Sequence, residues 1–165
     1  MSGILQIFII ILPLTVSLVA YFLTANALFP ARIGKTKAII QSMPWRSLGV
    51  GLVNFSFFFL IAIVLLSISD QIDNEFIKGV VMLPALLVIA FILAMLTFGL
   101  TGMVNHIGER IMPEISTWKQ TVWGSLCLCL ACALPFAGWF LLLPYAGFTG
   151  MGAFILGVFQ REPKA

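Results

Sequence analysis

The chain has 165 residues, of which 61% are hydrophobic and only 9% charged, with mean hydropathy +1.13 and a formal charge of +3. A soluble domain carries about 25% charged and about 45–50% apolar residues, and one of this size has too little interior to hide so much apolar surface. The composition excludes an ordinary soluble enzyme or nucleic-acid-binding domain. It leaves an all-α, polytopic transmembrane helical bundle, a single domain over residues 1–165.

The first uncharged run, Gly3 to Phe29, is too long for the apolar core of a signal peptide and has no basic start. It exceeds the roughly 20 residues that cross a bilayer, so it predicts a retained helix, with Pro13 as a kink point. The stretch PARIGKTKAIIQSMPWRS, residues 30–47, follows. It holds Arg32, Lys35, Lys37 and Arg46 and no acid. Pro30 closes the first helix and Pro44 opens the next, because proline suits a first helical turn. The spacing of Arg32, Lys35 and Ile39 between them predicts a short interfacial helix. Trp45 marks the headgroup level.

Leu48–Ile68 is the second run and Gly79–Val104 the third, separated by the acidic connection SDQIDNEFIK. Residues 105–119, NHIGERIMPEISTWK, form the next polar connection. From Thr121 to Phe159 there are 39 uncharged residues. One helix of that length would rise about 58 Å, nearly twice the hydrocarbon thickness. The run must fold back, with Pro135 and Gly138 as the break. Two short spans result, near Trp118–Leu134 and Trp139–Gln160, with a re-entrant hairpin as the alternative.

Lysine and arginine then set the orientation. With five spans, one side collects four basic residues from 30–47, two from 105–119 and two from the tail QREPKA. The other side holds Lys78 alone. The expectation is five spans, the last two as a short hairpin, with the N-terminus outside and the C-terminus cytoplasmic. Arg32, Lys35, Lys37 and Arg46 are first of all a cytoplasmic anchor. They are also candidates for lipid or partner contact, since basic residues at that leaflet attract anionic lipid.

Candidate chemistry is sparse. His106, the one histidine, is the candidate ligand for a haem or pigment; a wet helix end accounts for it more simply. Cys127, Cys129 and Cys132 lie in an apolar run. On a helix, Cys129 and Cys132 sit roughly 60° apart while Cys127 points away, so they read as small apolar residues and not as a metal site. All six acids lie in connections or the tail, whereas proton relays and many transporters keep ionisable groups at membrane depth. Asn54, Ser56, Thr97 and Thr101 are the intramembrane polar candidates. Asp70, Asp73 and Glu75 would suit a metal-dependent lipid-modifying enzyme, but a solvated loop explains them more simply. No Ser/His pair or phosphate-binding glycine loop is present, so no catalytic residue, metal site or certain cofactor is assigned. A lipid, quinone or pigment would need no dedicated motif to lie on so phenylalanine-rich a surface.

The clearest packing signal is in the last span. Ala146, Gly150, Ala153 and Gly157 follow spacings of four, three and four and bare one helix face for close approach by another helix.

The text ACALPFAGWFLLLPYAGFTGMGAFILGVFQR, Ala131–Arg161, combines a Pro-x-x-Gly-Trp break with a glycine-spaced apolar helix and then arginine. In this it resembles the closing hairpin of small bacterial multi-span membrane modules, including those attached to bactofilin-like polymer-forming proteins. PARIGKTKAIIQSMP followed by GLVNFSFFF fits the same kind of module. The likeness covers about half the chain, and no β-helical polymerising segment accompanies it. It implies a bacterial cytoplasmic (or derived) membrane and transfers no catalytic residue. The expected function is a non-enzymatic accessory or structural subunit of a larger membrane complex, energy-transducing or photosynthetic among the options. Its partners would be membrane lipids and other transmembrane subunits, with no nucleic acid. The alternative is a small oligomeric transporter or channel.

Overall fold

The computed structural model describes residues 3–132 and 136–159, with side chains for residues 12–132 and 136–159. Every element among them is helical: α1 (Gly3–Leu28), α2 (Pro30–Ser42), α3 (Pro44–Asp70), α4 (Glu75–Ile111), α5 (Thr117–Cys132) and, after a π-helical turn at Gly138–Leu142, α6 (Leu143–Phe159). The expected break at Pro135 and the tail basic residues Arg161 and Lys164 lie outside the described residues.

Prolines set both corners of α2. A proline ring disfavours helical backbone at the residue before it. Phe29 (φ −131°, ψ 52°) and Met43 (φ −141°, ψ 61°) both leave the helical region. Pro30 and Pro44 then begin new helices, where the missing N–H has no partner to lose. As a result α2 bends 105° away from α1. Its buried residues, Ile33, Thr36, Ile39 and Ile40, share one face at helical period. That face is pressed against α4 and α6, while Arg32 and Lys35 face outward. Pro13 and Pro84, by contrast, sit inside α1 and α4 without ending them.

α6 is the central post, packed on α3, α4 and α2. Glycine makes two of those crossings tight. Gly152 lies against Ser47 and Gly51 of α3, and a Cβ added there would come within 2.6 Å of the Gly51 amide nitrogen. Gly150 meets Gly99 of α4, where an added Cβ would sit 2.8 Å from the Gly99 Cα and closer still to its carbonyl. Gly157 is looser, with only Ile39 Cδ1, at 3.3 Å, and Lys35 Cβ, at 3.9 Å, near an added Cβ. Lipid supplies no hydrophobic drive between helices, so close backbone approach and dispersion take its place. α5 joins α4 in the same way, with Gly124 against Val104 and Gly108, and Gly108 against Gln120. Phe98 of α4 stacks on Phe154 of α6 at 4.8 Å. α1 is the outlying helix, held mainly by α5.

α3, α4 and Gly138–Phe159 are each long and apolar enough to cross a membrane, and α1 with α2 passes as a bent pair. Large apolar side chains such as Phe57, Leu87 and Phe140 stand exposed on the outside of the bundle, a surface that water would not tolerate on this scale. The chain is therefore an all-helical, multi-pass membrane bundle. α5, with 16 described residues, rises about 24 Å and is not among the helices long enough to count as a span by length and composition. α4 is longer than the third apolar run: it carries on through residues 105–111, half of what the sequence presents as a polar connection.

Candidate functional site

The extra turns of α4 bring a buried asparagine into the bundle. Asn105 is 3% exposed. Its Nδ2 donates to Asn26 Oδ1 of α1 at 2.9 Å, and its Oδ1 accepts from Thr121 Oγ1 of α5 at 2.7 Å. Asn26 Nδ2 reaches Thr121 Oγ1 at 3.4 Å, which closes a three-helix knot. A buried amide without partners is costly in an apolar setting, so each of these groups answers another. One turn further along α5, Ser125 hydrogen-bonds the Thr121 carbonyl. Gln120, 6% exposed, donates to the carbonyls of Met112 at 3.2 Å and Pro113 at 3.3 Å and so pins the α4–α5 connection.

Beside the knot, α2 meets α4 through charge. Lys37 Nζ lies 3.1 Å from Glu109 Oε1, and Gln41 Nε2 donates to Glu109 Oε2 at 2.5 Å. Between α1, α2, α4 and the start of α5 opens a groove of about 700 Å³. Its polar lining includes Asn26, Lys37, Asn105, Ser116 and Thr117, and Trp118 forms part of its wall. Lys119 Nζ sits 5.5 Å from the centre of the Trp118 ring, a favourable cation–π distance. The groove is thus donor-rich on its floor and apolar or aromatic elsewhere, in the size range of small-molecule sites.

The residues singled out from sequence are spread over several places. Lys37 alone of the basic quartet lines this groove. Arg32 and Lys35 line a smaller one of about 230 Å³ with Phe154 and Gly157, and Arg46 lies at the start of α3, its Nη1 3.8 Å from Met43 Sδ. His106 is half-buried on α4 near Lys37, Glu109 and Arg110, and its Nδ1 is buried with no hydrogen-bond partner. The small-residue stripe of α6 meets helices of its own chain: Gly150 touches α4, Gly157 faces α2, and Ala146 and Ala153 join a buried cluster with Ile39, Ile40 and Met103. Gly152, which lies outside that stripe, makes the contact with α3.

Three of the four polar candidates in mid-helix turn back on their own backbone, and the fourth, Ser56, is exposed. Asn54 Nδ2 donates to the Val50 carbonyl at 2.8 Å, Thr97 to that of Leu93 at 2.8 Å and Thr101 to that of Thr97 at 2.7 Å. Thr97 also hydrogen-bonds Tyr21 of α1. Asp70 faces Lys78 at 3.5 Å across the α3–α4 turn, where Asn74 caps α4 by accepting from the Phe76 amide at 3.0 Å. No group of three metal-ligating side chains occurs among the described residues. Cys127 is exposed, and Cys129 and Cys132 line an apolar cleft against Leu18 and Leu143; the thiols serve as apolar surface rather than as buried core.

Asn26 and Asn105 were legible only in part. An asparagine inside an uncharged run is a signal, and Asn26 has it. Asn105 stands at the edge of a polar stretch, and only the continued helix shows that it faces inward.

Fold and groove together define a class: a multi-pass helical membrane protein with a polar knot and an open groove at one end of its bundle. No protein-family model matches the chain, and no curated protein or solved structure is significantly similar to it.

Proposed function

We propose that the chain is a non-enzymatic accessory or structural subunit of a larger membrane protein complex, energy-transducing or photosynthetic among the options, in a bacterial cytoplasmic or derived membrane. It crosses five times, as α1, α3, α4, α5 and α6, with the N-terminus outside and α2 lying along the cytoplasmic face. The basic-residue asymmetry supports this orientation. So does the placement of α2, whose Arg32 and Lys35 face outward while its apolar face covers the ends of α4 and α6.

One observation carries the subunit reading. Most of the polar side chains described at membrane depth hold helices together or bond their own helix; Ser56, which is exposed, and the enclosed Thr149 hydroxyl are the exceptions. Asn54, Thr97 and Thr101 each donate to a carbonyl four residues back. Asn26, Asn105 and Thr121 hydrogen-bond one another across three helices. A conduit needs polar groups left facing a path, so the arrangement favours a scaffold. The bundle's remaining outer surface is apolar and suits lipid or neighbouring transmembrane subunits. The alternative, a small oligomeric transporter or channel, draws on the groove at Asn26 and Lys37, which would then be one end of a path.

The test is extraction from the native membrane in mild detergent and a native gel, with every co-migrating chain identified and the absorption spectrum recorded. A large assembly with defined partners supports the subunit reading, and visible absorption would bring His106 forward as a pigment or haem ligand. A small colourless homo-oligomer contradicts it and favours the transporter.

A further inference from the structure

We infer that the groove beside the polar knot binds the phosphate-bearing headgroup of a phospholipid. Its polar lining consists largely of donors. An ammonium has three N–H groups, and Lys37 directs one at Glu109. Asn26 and Asn105 each use one of two carboxamide N–H groups within the knot and keep one. The hydroxyls of Ser116 and Thr117 stand at the start of α5, where the Lys119 and Gln120 amides bond the Ser116 carbonyl and those of Thr117 and Trp118 have no acceptor within the helix. No acidic side chain lines the groove among the described residues, and Glu109 already takes hydrogen bonds from Lys37 and Gln41. Such a lining complements a ligand rich in acceptors, and a phosphate diester is one.

The rest of the lining explains why the ligand is a lipid and not a dissolved anion. Leu23, Ala27 and Trp118 line the groove beside the donors. An acyl chain leaving the headgroup would meet apolar surface there, and tryptophan suits the headgroup boundary. The volume of about 700 Å³ holds a headgroup and the first part of its chains. The inference rests on the five-span reading, which sets this end of the bundle among cytoplasmic headgroups. The binding assay is done in detergent, so it can fail while a topology reporter succeeds, and the reverse.

The full chain is purified in detergent and titrated with phosphatidylglycerol, with retained lipid read by native mass spectrometry. One phosphatidylglycerol should be retained, and diacylglycerol, which lacks the phosphate, should not. Lys37→Gln should weaken retention about tenfold through loss of a charge-assisted hydrogen bond. Glu109→Gln breaks the same ion pair but leaves the ammonium, so it should bind as well as the unaltered chain or better. Lys78→Gln removes an equal charge at the far end of the bundle and should change nothing. Equal losses from Lys37→Gln and Glu109→Gln would make the ion pair merely structural and overturn the site. Equal losses from Lys37→Gln and Lys78→Gln would reduce the effect to diffuse attraction and overturn the site as well. Displacement of the lipid by inorganic phosphate at similar concentration would assign the groove to a free anion and overturn the lipid.

Discussion

Gly150→Ala is the sharpest perturbation the packing offers. The new methyl group would lie 2.8 Å from the Gly99 Cα and nearer to that residue's carbonyl, all of it backbone that cannot rotate away. To restore ordinary contact, α4 and α6 must part by about 1 Å, and a gap of that size forfeits a quarter to a half of each contact along the seam. Overpacking of this kind costs about 2 kcal/mol. Gly147→Ala, one turn earlier, meets only Leu96 Cδ2 at 3.5 Å and should be near neutral or slightly stabilising, since alanine favours helix. Reversible unfolding in mixed detergent–SDS micelles, followed by circular dichroism, measures both. Once Gly150→Ala has separated the helices, Gly99→Ala should add little, with a coupling of about 1 kcal/mol in a double-mutant cycle. Equal stability of Gly150→Ala and Gly147→Ala would refute the close crossing.

Two further outcomes are expected from the same unfolding assay. Thr149 is fully buried and its Oγ1 has no hydrogen-bond partner; Thr149→Val keeps the shape and should stabilise by about 1 kcal/mol, whereas destabilisation would point to a partner at that hydroxyl. Asn105→Leu breaks the knot and should cost about 1–2 kcal/mol, in line with interhelical hydrogen bonds in membranes, while Asn54→Leu, which loses only a bond to its own helix, should stay within about 0.5 kcal/mol.

Much of the architecture is local and hence legible. Pro30 and Pro44 act on the residue just before them, so the corners of α2 could be placed from the sequence. Charge-free length marks the apolar runs, because the bilayer fixes how long a crossing must be. What sequence hides is adjacency. The spacing of Ala146, Gly150, Ala153 and Gly157 shows a bare helix face but not what covers it. In the structure, α6 divides its small residues among α3, α4 and α2. The matching glycines, Gly51 and Gly99, carry no mark that pairs them with Gly152 and Gly150. The site was hidden for a related reason. Asn26, Asn105 and Thr121 lie far apart in the chain, and their partnership depends on α4 continuing beyond its apolar run.

The five-span topology is tested most directly by cysteine accessibility. In a chain with Cys127, Cys129 and Cys132 replaced by alanine, single cysteines at Asp73 and Ser116 are exposed to a membrane-impermeant maleimide in intact and in opened cells. Five spans with the N-terminus outside predict labelling of the Asp73 position from outside and, only after opening, of the Ser116 position and of a third single cysteine placed at Lys164, whose labelling in intact cells would mark the last run as re-entrant. Labelling of the Ser116 position in intact cells, or protection of the Asp73 position there, would contradict that topology.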